Sequence, residues 1–198
     1  MRATFHVTDL ESWRWYNLME SRTKDEFIGG LLRTEPPNEK MLMGTAWHSI
    51  LENPPDVIDT VERDGFTFIV ECDGEIILPQ IREIRATKEY DVDGCTVTLT
   101  GGCDGITAYE VGDHKLTFRP NPENYMDSYQ WRAYLDIYNA DIFKYFIYHG
   151  YQKGNTVTIK DYSTMNMYRY PRMVDDLLVG VRGLLGFVKE YVPELINA

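Results

Sequence analysis

Between residues 66 and 118 the apolar residues change their period, and this switch constrains the fold more than any other feature of the chain. Short runs rich in Val, Ile, Thr and Phe alternate there with turns built on Gly and Asp, the pattern of paired strands. Phe66–Val70 and Glu75–Leu78 read as strands around a Cys72-Asp73-Gly74 turn. Ile84–Tyr90 and Cys95–Thr100 flank Asp91-Val92-Asp93-Gly94, a hairpin signal. Gly105–Tyr109 and Val111–Phe118 continue the same sheet.

The residues before this switch read as helical. Asp9 is a candidate N-cap for a helix over Glu11–Met19, and Thr23 for one that carries Phe27, Leu31 and Leu32, although Gly29-Gly30 weakens it. Glu35-Pro36-Pro37-Asn38 must interrupt a helix. A further helix is predicted from Asn38 to Glu52, stopped by Asn53-Pro54-Pro55. Downstream, a helix is expected from Glu123 to Tyr138, and strands at Phe143–His149 and Thr156–Asp161. An amphipathic helix should run from Arg172 to Ile196, with Gly180, Gly183 and Gly186 permitting close packing. This order implies an α/β (α+β) fold, a central mixed sheet flanked by helices, in a single domain over 1–198.

Composition limits the function classes. With 198 residues, 43% hydrophobic and 13% aromatic, the chain can bury one compact core. The net charge of −11 argues against a broad basic coat for nucleic acid, while leaving room for a local basic groove. Acids gathered at a metal site look repulsive until the metal is counted. Cys72, Cys95 and Cys103 are odd in number, widely spaced and without a Cys-x-x-Cys pair, so they read as buried free thiols. No secretory signal is visible and no apolar run approaches a membrane span, so the expectation is a soluble cytoplasmic protein without a membrane partner.

Asp113 and Lys115 lie two apart in an expected strand, which puts both side chains on one face. Asp104 lies on the preceding strand, a neighbour across a hairpin. Two carboxylates facing one point, with a lysine beside them, suit a hard divalent cation that polarises a phosphodiester. Asp-x-Lys by itself is common on solvated surfaces, so the weight rests on its company. His48 and Glu52 share a helical face at i and i+4, and His48 can bind metal or steer a phosphate. Gln130 and Tyr134 repeat that spacing, offering an amide and a phenol to a phosphate, a nucleotide or Lys115.

The order Gly-x-x-x-His-x-x-x-Glu, Gly-x-Asp-Gly, Asp-His-Lys and Gln-x-x-x-Tyr, spanning about Met43 to Tyr138, resembles the PD-(D/E)XK nuclease superfamily. It is most similar to its RecB-like and lambda-exonuclease-like branch. The resemblance implies a restriction-endonuclease-like core and a Mg2+-dependent deoxyribonuclease, with Mn2+ able to substitute. By the same resemblance the metal ligands are His48, Asp104, Asp113 and the backbone carbonyl of His114; alternation points the His114 imidazole away from Asp113 and Lys115. The catalytic set it implies is Asp104, Asp113, Lys115, Gln130 and Tyr134; Glu83 and Glu52 stay open between a further acid of the metal site and ordinary exposed residues. It implies a DNA substrate, a single-strand-annealing recombination protein as partner, and a homo-oligomer, in a bacterial or phage-infected cell. No cysteine follows Cys103, so the iron–sulfur cluster of some RecB-like nucleases is not expected, nor is a nucleotide cofactor, since no Gly-x-x-x-x-Gly-Lys motif occurs. An exonuclease of recombination or repair, a structure-specific endonuclease and a non-catalytic nuclease-fold binding module are the readings in competition. Ser49 and Ser128 lack a Gly-x-Ser-x-Gly context, which disfavours a metal-independent hydrolase.

Overall fold

A computed structural model of the chain describes residues 1–19, 22–72, 76, 78, 79, 81–119 and 121–197. The elements run β1 (Arg2–His6), α1 (Val7–Leu18), α2 (Lys24–Leu31), α3 (Glu39–Glu52), β2 (Thr60–Arg63), β3 (Phe66–Val70), β4 (Ile81–Val92), β5 (Cys95–Ile106) and β6 (Glu110–Thr117). They continue with α4 (Pro122–Met126), α5 (Tyr129–Ile137), β7 (Ile142–Lys153), β8 (Thr156–Tyr168), α6 (Met173–Tyr191), a 3-10 turn (Pro193–Leu195) and β9 (Ile196–Asn197). The strands form one mixed sheet in the order β2-β3-β8-β7-β6-β5-β1-β9, with β4 also pairing β5. Among the described residues no helix is long and apolar enough to cross a membrane.

Alternation along β7 divides the core. Phe143, Tyr145 and Ile147 pack with α1, α5 and α6 on one face; Phe146 and Tyr148 pack with Trp47, Ile50 and Leu51 of α3 on the other. The sheet is therefore covered by helices on both faces, as expected.

β5 organises the centre. Along one edge it pairs β4 antiparallel, closed by Asp93-Gly94 with φ of +48° and +73°, a two-residue turn in which both residues are left-handed. Its other edge is shared. Thr96–Thr100 pair β1 in parallel, whereas only Gly105 and Ile106 pair β6. The sheet thus forks at residues 101–104.

Several sequence expectations need correction. Arg2–His6 is a strand whose Ala3 and Phe5 enter the core, so α1 starts at Val7; Asp9 is inside the helix, accepting the His6 N–H rather than capping. Thr60–Arg63 is a strand because pairing with β3 satisfies its backbone. Gly105 does not open a new strand, since β5 continues to Ile106. The helix expected over 123–138 breaks at Asp127-Ser128, where Ser128 accepts the Gln130 N–H and starts α5 anew. The last helix ends at Tyr191, ahead of Pro193, which cannot continue it. The Cys72-Asp73-Gly74 turn and the Glu75–Leu78 strand fall largely outside the described residues.

Gly180 and Gly183 do give α6 its close packing. A β-carbon at Gly180 would lie 2.6 Å from the Tyr129 ring, and one at Gly183 2.8 Å from Trp13 Nε1, whereas Gly186 faces open space. Gly180→Val should therefore lower stability by about 1–3 kcal/mol through overpacking. Gly186→Ala should raise it by up to about 1 kcal/mol through helix propensity. Urea unfolding of the two variants checks this, and equal midpoints would contradict the packing.

Candidate active site

The fork in β5 collects the residues singled out from sequence. Asp113 and Lys115 project together toward α5, as strand alternation requires, and Lys115 Nζ stands 2.6 Å from Asp113 Oδ2. Gln130, in the first turn of α5, donates from Nε2 to Asp113 Oδ1 at 2.8 Å. Gln130 therefore orients the carboxylate, rather than Lys115.

Asp104 meets them from the other side. Cys103 and Ile106 both pack on the α1, α5 and α6 core although they are three residues apart, so the alternation of β5 slips between them. Glu83, opposite on β4, has φ of +54°, an uncommon conformation for a residue with a side chain. Asp104 alternates with Cys103 and so faces the α3 side, where Oδ2 accepts the His114 N–H at 2.5 Å and lies 3.3 Å from His48 Nδ1. The N–H and C=O of one strand residue point to the same side. The His114 carbonyl thus faces this fork as well.

The His114 imidazole turns the other way, as expected. It is 2% exposed, packs on Phe146 at 4.8 Å between ring centres, and its Nδ1 lies 3.1 Å from Tyr148 Oη. Tyr134 is buried, its hydroxyl donating to the Gly102 carbonyl at 2.6 Å, and its ring occupies space that a side chain at Gly101 would need. Its placement is among backbone groups of β5. Glu52 is exposed at the end of α3, within electrostatic reach of Glu83.

The charges at the fork are unevenly held. Burial pushes Asp104 up, but the His48 hydrogen bond and charge, the His114 N–H and Lys115 bring it below the usual carboxylate range. Burial pushes Asp113 up, with the Asp104 charge adding and the Lys115 ammonium opposing. Burial and the charges of Asp104 and Glu52 also raise Glu83. Carboxylates crowded into one site separate their affinities in this way, and a cation relieves the repulsion.

Do these residues fit a hard divalent cation? Among the described residues no three His, Cys, Asp or Glu side chains gather into a ligand cluster as they stand, because Asp113 is turned onto Lys115 and Gln130. Asp113 Oδ2 is buried and meets the Lys115 ammonium at 2.6 Å, while Gln130 takes the other oxygen. Yet two carboxylates and a backbone carbonyl at one edge form the oxygen-rich donor set that Mg2+ or Mn2+ prefers, so the residues fit.

Two supporting residues escape sequence reading. Glu11 on α1 accepts from Ser128 Oγ at 2.8 Å and the Tyr129 N–H at 3.2 Å, which anchors the start of α5 under Gln130. No local signal reveals a contact spanning more than a hundred residues. Tyr138 continues the spacing Gln130, Tyr134 by one more turn, a signal present in the sequence. Its hydroxyl reaches the backbone of both β4 and β5.

No family profile and no curated protein matches this sequence. Solved structures do match its fold. The crystal structure of SSO0001 superposes with a TM-score of 0.54 at 14% identity, over 98% of this chain and 88% of that one. An alkaline exonuclease from Laribacter hongkongensis, LHK-Exo, superposes in complex with dAMP at 0.52 and 11% identity, over 96% of this chain and 90% of its own. A second LHK-Exo structure gives 0.50 at 11% identity, over 97% and 89%. The chain shares the fold of these structures, an alkaline exonuclease among them, and that fold is the mixed sheet flanked by helices that the sequence implied.

His114 supplies a pH test of the site's frame. Burial pushes its pKa down to about 4 against the pull of Asp104, with His48, Lys115 and Arg82 adding. The unfolded imidazole takes up a proton near 6.5, whereas the folded one resists until about 4. Its contribution to stability is thus complete above about pH 6.5 and is lost as pH falls toward 4, by about 3 kcal/mol in total. Urea unfolding across that window should show His114→Phe with a shallower dependence than the wild type. Identical slopes would mean the imidazole is not held neutral.

Proposed function

We propose that this chain is a metal-dependent deoxyribonuclease that hydrolyses phosphodiester bonds, acting as an exonuclease in DNA recombination or repair. The observation that carries this reading is the arrangement at the fork: Asp113 held between Gln130 and Lys115, beside Asp104 held by the His114 N–H. The likeness of the fold to an alkaline exonuclease whose structure contains dAMP supports a DNA substrate.

Asp104, Asp113 and the His114 carbonyl would hold the cation, with His48 beside Asp104. When bound, a divalent cation supplies Lewis-acid polarisation of a phosphoryl oxygen and favours ionisation of an attacking water. The chain's own residues do the rest. Gln130 fixes the plane of the Asp113 carboxylate, so that Oδ2 faces the fork. Burial alone would lower the Lys115 pKa, but Asp113, Asp104 and Glu11 raise it, so the side chain stays an ammonium. Its side chain is 31% exposed and can turn a donor to a water or a phosphoryl oxygen. Charge developing on the phosphoryl group is stabilised by such a preplaced donor. The neutral His114 ring leaves that balance unchanged.

Purified protein should degrade linear duplex DNA with Mg2+ or Mn2+. Asp113→Ala or Lys115→Ala should lower the rate at least about a hundredfold, the scale for losing a transition-state electrostatic group. Gln130→Ala, which loosens Asp113, should cost about ten- to a hundredfold. Covalently closed circular DNA should survive, since an exonuclease needs an end; its cleavage would move the reading to an endonuclease. A wild-type protein inert on all DNA ends with either metal would sink the nuclease reading.

A further inference from the structure

We propose that Tyr138 is a positioning residue that places Asp104 at the fork by bonding the backbone of both β4 and β5 beside it. The Tyr138 hydroxyl accepts the Cys103 N–H at 3.3 Å and lies 2.5 Å from the Ile84 carbonyl oxygen and 2.9 Å from that of Gly101. Ile84 and Cys103 are register partners in the antiparallel β4–β5 pair. A donor and an acceptor that both reach one oxygen point at each other, so this is a hydrogen-bonded position of the ladder. In a regular ladder the Cys103 N–H would donate directly to Ile84. Ile84 and Cys103 stay paired, and the Tyr138 hydroxyl reaches the same N–H and carbonyl from α5.

The next position is where the strands become irregular. Glu83 is left-handed at φ +54°, no pairing is made between Glu83 and Asp104, and the alternation of β5 slips between Cys103 and Ile106. The hydroxyl holds the last paired position before Asp104, whose Oδ2 bonds the His114 N–H. Tyr134, one turn earlier on α5, secures the neighbouring Gly102 carbonyl, so α5 grips the strand at two successive residues. Tyr138 touches neither Asp104 nor the reacting groups; it acts through the backbone. A consequence for catalysis rests on the nuclease reading above, whereas the structural claim does not.

The test reads both, separately. Tyr138→Phe keeps the ring and removes the hydroxyl. Tyr90→Phe is the control: it removes a buried hydroxyl from the same helix-to-strand contact, where Tyr90 Oη donates to Asp136 at 2.6 Å away from the fork. Amide hydrogen exchange by NMR, without metal, should show the His114 N–H exchanging at least about ten times faster in Tyr138→Phe, because its acceptor Asp104 is displaced. The same amide should be unchanged in Tyr90→Phe, even if both variants melt earlier. Unchanged His114 exchange in Tyr138→Phe overturns the proposal. Calorimetry with Mn2+ alone should then show Tyr138→Phe binding about ten times more weakly, the scale for residues that orient metal ligands. DNA cleavage should lose a similar factor in kcat with KM nearly constant. Intact Mn2+ affinity and kcat would overturn the role in positioning the ligand. A wild type that neither binds Mn2+ nor cuts DNA would remove the nuclease reading and leave the exchange result to decide Tyr138.

Discussion

Everything at the candidate site depends on β5 having more partners than one strand edge can hold in register. One edge is paired to β4; the other begins with β1 and ends with β6, and these two strands run in opposite senses relative to β5. A strand cannot pair both over the same residues, so four residues are left between them. Backbone groups there need partners, because an unpaired buried donor or acceptor costs about 1–3 kcal/mol. Helix α5 provides one through Tyr134, whose hydroxyl bonds the Gly102 carbonyl, and Asp104 provides one for the His114 N–H. The gap in the ladder is the same opening in which the functional side chains meet.

The electrostatics follow from that geometry. Burial raises the cost of each carboxylate, and proximity makes Asp104 and Asp113 share the penalty unequally. Lys115 and His48 offset part of it from opposite sides of the sheet. The net charge of −11 therefore says little about the site itself, where cationic groups and backbone N–H donors sit against the acids. Burial and mutual repulsion at this spot are the terms that a bound cation would offset.

Much of the fold was legible in local pattern. The period switch, the Asp93-Gly94 turn, the Pro36-Pro37 and Pro54-Pro55 stops and the Thr23 cap each act over a few residues. What was illegible is what long-range pairing decides. Arg2–His6 is too short to announce itself as a strand and exists because β5 accepts it. Thr60–Arg63 depends in the same way on β3, and Ile196–Asn197 on β1. Gly101-Gly102 looks like a strand end until α5 packs against it.

At the site, the sequence by itself determined the parts: Asp113 and Lys115 on one face, His114 turned from them, and a histidine, an amide and two phenols at helical spacing. These follow from the two-residue repeat of a strand and the 3.6-residue repeat of a helix, which need no tertiary information. Only the tertiary structure decided how the parts engage. Gln130 holds Asp113 rather than Lys115, Tyr134 binds a carbonyl of β5, and β5 slips in its alternation between Cys103 and Ile106, which no repeat foretells. The physical reason is that such a slip is a local cost, and only the partners gathered from α3, α5, β4 and β6 make it the lower-energy choice.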